Sequence, residues 1–162
     1  KGAVIFGHNP RIVTSRVARL TYAHGASVPY DPVKHGKSRE RVFICEKGKY
    51  QNNVAKIWVK RGEVIEIGHM KEFSLNVSSS KLTSMNHEVY SSEKTEIQYT
   101  DEEGVNLIGS WKTPLQGTGL DRYVDIRIFF GETELSMQTK QRGIEDAKWE
   151  TQTFDFLSGK KE

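Results

Sequence analysis

Apolar residues recur at every second position through much of this chain, the spacing of a strand with one buried face. Val124, Ile126, Ile128 and Phe130 fall on one side, and Asp125 and Arg127 on the other. Gly131-Glu132 supplies a turn and Leu135 and Met137 resume the alternation, so residues 124–137 read as a β-hairpin. Phe154 and Phe156 share one side of a further strand over residues 151–156. The same pattern predicts strands over residues 17–23, 55–59, 63–67, 72–77, 86–90, 96–100 and 107–112. Lys60-Arg61-Gly62 closes the strand that contains Trp58, with a glycine free to take positive φ. Nothing repeats with a helical period over three turns. Residues 2–6 are the one helix-like stretch, read as the end of a helix cut short. Many short strands joined by polar turns, with no helices between them, predict an all-β antiparallel sandwich.

Two regions break the pattern. Residues 24–53 carry Pro29, Pro32, Gly25, Gly36 and Gly48, with a basic cluster from Lys34 to Arg41. They read as a long excursion with one small strand of its own, Val42-Phe43-Ile44-Cys45. Long loops in compact domains tend to be functional or disordered. Residues 114–121, with Gly117 and Gly119, read as a connector, and residues 79–85 as a polar loop.

Composition narrows the picture. A chain of 162 residues suits one domain, and 36% hydrophobic against 28% charged residues suits a thin sandwich with much exposed face. The net charge is +3, with 24 basic and 21 acidic residues interspersed, which is not the concentrated basic footprint of a nucleic-acid binder. Glu40 interrupts the single basic cluster, which reads as a solvated loop. One cysteine, Cys45, rules out a disulfide within the chain and points to a reducing, cytoplasmic compartment. No apolar run approaches the ~20 residues of a membrane helix.

Catalytic chemistry finds little support. The five histidines, His8, His24, His35, His69 and His87, are scattered without ligand spacing, so no metal is expected. Cys45 follows two apolar residues and reads as a small core hydrophobe. The glycines of Gly2-Ala-Val-Ile-Phe-Gly7 have neither phosphate-loop nor dinucleotide spacing. Asp101-Glu102-Glu103 reads as a solvated acidic turn. No acid, base and nucleophile emerge together, so the chain is expected to be non-catalytic and to hold no cofactor. What remains is a sandwich end able to grip an extended peptide through strand backbone and loops.

The order of segments adds a resemblance. Gly2-Ala-Val-Ile-Phe-Gly7 with Pro10 resembles the end of an ATPase domain, and Arg16-Val-Ala-Arg-Leu-Thr-Tyr22 the passage into a first sandwich strand. Trp58-Val-Lys-Arg-Gly-Glu-Val64, Val89-Tyr-Ser-Ser-Glu93, Gly109 with Pro114, Tyr123-Val-Asp-Ile-Arg-Ile-Phe-Phe130 and residues 149–157 follow in order. Together these resemble the peptide-binding domain of the 70-kDa heat-shock chaperones, and within them the divergent branch of the 12A and 12B proteins.

The resemblance implies residues 1–14 as the tail of an upstream ATPase domain plus linker. It implies residues 15–158 as a peptide-binding β-sandwich, with 24–53 inserted and 159–162 as a disordered tail. It implies clients that are unfolded or extended polypeptides and an upstream ATPase domain in cis that would hold ATP and Mg. In typical members a helical lid follows the sandwich; this chain departs from them by stopping soon after Leu157, so no lid is expected.

Carried over by position, Leu20 and Tyr22 fall on the first cleft-forming strand, Leu75 and Val77 before the second cleft loop, and Met85 and His87 on the strand after it. Such a cleft requires Tyr22 and Met85 at the same end of the sandwich. The family has aliphatic residues at the positions of Met85 and His87, so His87 departs from it, as a rim or core histidine or as a polar, pH-sensitive pocket residue. The insertion and His87 favour the alternative, an interaction or scaffold module that keeps the sandwich without a working cleft.

Overall fold

A computed structural model of the chain describes residues 14–36 and 41–156. The described residues form eleven strands and one short helix: β1 (Ser15–Val17), β2 (Thr21–Pro29), α1 (Pro32–His35), β3 (Val42–Cys45), β4 (Gly48–Val59), β5 (Val64–Glu66), β6 (His69–Asn76), β7 (Ser84–Ser92), β8 (Val105–Pro114), β9 (Tyr123–Phe130), β10 (Glu134–Gln141) and β11 (Glu150–Asp155). One sheet has the order β3-β4-β2-β7-β8, the second β11-β10-β9-β6, and β1 pairs with β5 apart from both. All the ladders are antiparallel. The protein is therefore an all-β antiparallel sandwich, as the alternation predicts. The one helix among the described residues has four residues, and Asp31 caps it by accepting from the amides of Val33 and Lys34.

Period two fixes which side chains are inside. Val124, Ile126, Ile128 and Phe130 of β9 are buried, as are Leu135, Met137 and Thr139 of β10. Against them lie Tyr22, Val59, Met85 and Val89 of the five-stranded sheet, with Phe154 and Phe156 closing one end. The hairpin register pairs Phe130 with Leu135 and Leu135 with Phe154, so these define that end. Val124, opposite Leu75 and Gln141, lies at the other. The Tyr22 hydroxyl donates to the Phe156 carbonyl at 2.9 Å, placing Tyr22 at the Phe130 end.

The chain departs from the sequence reading in four places. Residues 24–53 are largely strand: β2 and β4 run long and β3 pairs on the edge of β4. Pro29 closes β2 and Pro32 starts α1, positions where a missing N–H does no harm, so the prolines mark element ends and not an irregular excursion. Residues 96–100 form no strand and touch β4 through the single bridge Val54↔Tyr99, flanked by bonds from Ala55 N to Gln98 O and from Thr100 N to Asn53 O. Asn53 has φ 56°, which interrupts the regular ladder there.

Cys45 is half-buried on β3, and no β3 residue belongs to the hydrophobic core. As the edge strand of its sheet, β3 packs only in part, with Phe43 against Tyr50. Arg41 and Asp101 are an ion pair with both Nε–carboxylate distances 2.9 Å, so the acidic turn is not merely solvated. The proposed ATPase tail and the final tail, apart from Thr14, lie outside the described residues, as do Lys37 and Arg39 of the basic cluster.

Candidate functional site

The β2–β7 ladder runs from Thr21↔Ser92 to His24↔Val89 and ends there. Beyond it β2 stays with β4, through a register shift between Ala26 and Val28, while β7 stays with β8. The two strands part and leave a cleft of about 400 Å³. Leu75, Val77, Leu82 and Met85 give it apolar surface. Gly25, Ala26, Ser27, Tyr50, Asn52 and Asn53 form one wall; Ser84, Asn86, Glu88 and Lys112 form the other. Among the described residues, no strand pairs with the edge of β7 that faces β2 over residues 84–88. Gly25 sits where the strands diverge, and a Cβ there would stand 3.4 Å from the Tyr90 ring, so its small size allows the close approach.

Two sets of polar contacts hold the far wall. Arg122 is buried, and its guanidinium donates to five carbonyls: Gly119 (2.8 Å), Leu82 (2.8 Å), Gly117 (3.1 Å), Ser80 (3.0 Å) and Ser79 (3.4 Å). Five donors in a fixed fork suit this clamp, which ties the β6–β7 loop to the connector after β8. Asn76 Nδ2 adds bonds to the carbonyls of Leu120 and Arg122, both 2.8 Å. From the other wall, the turn between β3 and β4 reaches across. Glu46 Oε1 accepts from Ser79 Oγ (2.9 Å), Ser80 N (3.0 Å) and Ser80 Oγ (3.0 Å), and Lys47 Nζ donates to Asn76 Oδ1. The hydroxyls of Ser80 and Ser79, with the Ser80 amide, hold the Glu46 carboxyl below its ordinary range.

Deeper in the sandwich lie two buried histidines. Trp58 Nε1 donates to His24 Nδ1 at 2.7 Å, and the His24 ring stacks on Phe73 with centroids 4.6 Å apart. His87 Nε2 meets Thr113 Oγ1 at 2.8 Å, and that hydroxyl donates to Thr139 Oγ1 at 3.0 Å. The His87 ring then donates through Nε2, leaving Nδ1 as the bare acceptor. His24 Nε2 and His87 Nδ1 have no protein partner. Burial first, then repulsion from His87 and Lys56, pulls His24 down to about 3. Burial pulls His87 down to about 4. Both rings are neutral at physiological pH.

The six residues singled out from sequence divide. Leu75, Val77 and Met85 come together in the cleft. Leu20, Tyr22 and His87 do not line it. Leu20 packs on the core just before β2, and His87 faces Trp111 and Thr113 inside the sandwich. Tyr22 pairs with Ser91, six residues along β7 from Met85, or about 20 Å at ~3.3 Å per residue. The requirement that Tyr22 and Met85 share one end is not met. The first-strand contribution comes instead from Gly25–Ser27, further along β2. Sequence reasoning also missed Tyr50, Asn52, Asn53 and Lys47, all inside the stretch read as an excursion. The Asn52-Asn53 pair in a strand was their one available signal, since Asn tolerates the left-handed backbone of a bulge. Among the described residues, no three His, Cys, Asp or Glu side chains gather to hold a metal ion. No helix among them is long and apolar enough to cross a membrane.

No family model matches the chain. It is similar to two curated relatives, Heat shock 70 kDa protein 12A of Mus musculus and of Homo sapiens. Each is 24% identical over 140 residues that cover 83% of this chain. The chain spans about a fifth of the length of these relatives (20%). This similarity supports a distant relationship to the 70-kDa heat-shock proteins.

Proposed function

We propose that the chain is a non-catalytic, chaperone-like domain that holds an extended apolar segment of a client polypeptide in the cleft between β2 and β7. The parting of these strands after His24↔Val89 carries this reading. It puts apolar side chains between two strand edges with backbone groups to offer. An inserted peptide would gain sequence-tolerant hydrogen bonds from the edges, and Leu75, Val77, Leu82 and Met85 would receive a Leu-sized side chain. Lys47 and Lys112 against Glu88 leave the rim slightly basic. The similarity to heat-shock proteins supports the same reading, with ATP and Mg held by an upstream domain in cis and a cytoplasmic site of action.

Burying one Leu side chain supplies about 1.5–3 kcal/mol, and micromolar affinity needs about 8 kcal/mol. The remainder must come from backbone pairing and flanking contacts, so affinity should fall steeply with peptide length. The test is fluorescence anisotropy with a labelled Leu-rich heptapeptide. Micromolar binding is expected, weakened at least ~10-fold by Met85→Glu and by Leu82→Asp, with thermal melts confirming that both variants fold. Absence of binding up to millimolar peptide removes this reading in favour of an interaction or scaffold module without a working cleft.

A further inference from the structure

We propose that the β3–β4 hairpin is a gate over this cleft, latched by Glu46 against Ser79 and Ser80. The inference rests on the peptide-binding reading above and assigns that site its control element.

The hairpin belongs to one wall and its tip is fastened to the other. Cys45 pairs with Gly48, so Glu46 and Lys47 form the tip, and Gly48 just after them takes a positive φ (115°), the place of a glycine that follows a turn with a bulge. From this tip Glu46 accepts the three bonds from Ser79 and Ser80, and Lys47 bonds Asn76, across the mouth. Ser79 and Ser80 are themselves immobilised by the Arg122 clamp on their carbonyls. The far post is thus rigid, while the arm lies at the sheet edge, its β4 half held to β2 as far as Pro29↔Tyr50. β3 pairs with β4 alone, through four residue pairs, and contributes nothing to the core. Its Ile44 is 84% exposed.

The root of the arm is irregular as well, with the positive φ of Asn53 in β4 beside the register shift in β2 between Ala26 and Val28. A latch of solvent-exposed hydrogen bonds at the tip of an edge hairpin opens at low cost, and the irregular root gives the hairpin a place to bend. Open, it carries its own Tyr50 and Asn52 away from the far wall; closed, it spans the entrance. An anionic group on Ser79 or Ser80 would repel Glu46 and favour the open arm.

A gate that closes over free and occupied cleft alike slows entry and exit together. That signature separates a gate from a wall contact, which changes release alone. Stopped-flow measurements with the labelled Leu-rich heptapeptide would compare the wild-type chain, Glu46→Ala, and the double variant Ser79→Asp with Ser80→Asp. Both association and release should quicken at least ~5-fold in either variant, with Kd held within about twofold. Adding Glu46→Lys to the double variant should slow both rates again by restoring an attractive pair.

Peptide binding with unchanged rates, or a change in release alone, overturns the gate and leaves the cleft reading intact. Amide exchange in the peptide-free protein gives a second readout. The Ser80 amide should exchange faster in Glu46→Ala than in wild type, and equal rates overturn the latch without any peptide. A protected Ser80 amide in a protein that binds peptide in none of these forms removes the cleft reading, and the gate with it.

Discussion

The two buried histidines make the fold acid-sensitive in a window that can be stated in advance. His24 and His87 are each 2% exposed, and burial holds them near 3 and near 4 against an ordinary value of 6.5. In the unfolded chain both take a proton as pH falls through about 6.5, whereas the folded chain refuses it until about 4. Unfolded protein therefore binds more protons across this interval, and stability must decline as pH is lowered.

The contribution is fully present above 6.5 and lost progressively below it. At pH 5, 1.5 units under the unfolded value at 1.36 kcal/mol per unit gives about 2 kcal/mol for each ring and about 4 kcal/mol for the pair. The result is insensitive to the folded values as long as both lie well under 5. Asp101, held down chiefly by its bond from Arg41, and Glu46, held down by Ser80 and Ser79, add their losses only at lower pH. Urea unfolding at pH 7 and pH 5 measures the drop directly, and it should be a large share of a typical domain's 5–15 kcal/mol. His24→Gln and His87→Gln should each remove about half of the pH-dependent part, whatever they do to stability at pH 7. A wild-type protein equally stable at both pH values, or variants that keep the whole drop, would show that these rings are not buried and neutral.

Arg122→Met should cost about 2–4 kcal/mol in urea unfolding by stranding the carbonyls it holds. Its amide exchange should rise over residues 79–82 before it rises in β9, and uniform acceleration would argue against a local clamp. Phe154→Ala, at a fully buried position beside Leu135, should cost about 3–5 kcal/mol by the same assay.

The fold was legible because its strands are half-buried, and half-burial writes itself as alternation. β9 and β10 were readable almost residue by residue, since Val124 to Phe130 lie on a sheet with one face on the core. β4 was half readable for the same reason. Its Ala55–Val59 end packs in the sandwich, whereas its Gly48–Asn53 end leaves the facing sheet and carries Lys49, Tyr50, Asn52 and Asn53, whose polarity resembles a loop. A strand that forms cleft wall instead of core has no reason to alternate. Residues 96–100 show the converse: Ile97 and Tyr99 are buried and alternate, yet make only one bridge to β4. Period two reports a buried face and says nothing about whether the backbone finds a ladder.

The same argument explains why half of the candidate site was misplaced. Met85, His87 and Val89 do share one face of β7, as period two requires, and all three are buried. Sharing a face does not mean sharing a site, because successive members of that face lie about 7 Å apart along the strand. Both Met85 and His87 lie past the last β2–β7 pair, but Met85 lines the cleft while the His87 ring packs against Trp111 and Thr113 inside the sandwich. Where the ladder stops is a property of the pair of strands. It depends on Gly25 and on the bulge after Ala26, neither of which leaves a mark on β7. The cleft's position was thus encoded in β2, in residues whose composition argued against a strand. A substitution that extends the β2–β7 ladder past His24↔Val89 should close the cleft without disturbing any side chain of its apolar floor. Gly25→Val is the nearest trial, and since its Cβ meets the Tyr90 ring it separates the two effects. Lost peptide binding with an unchanged melting temperature would mark ladder closure, and lost stability would mark the steric clash.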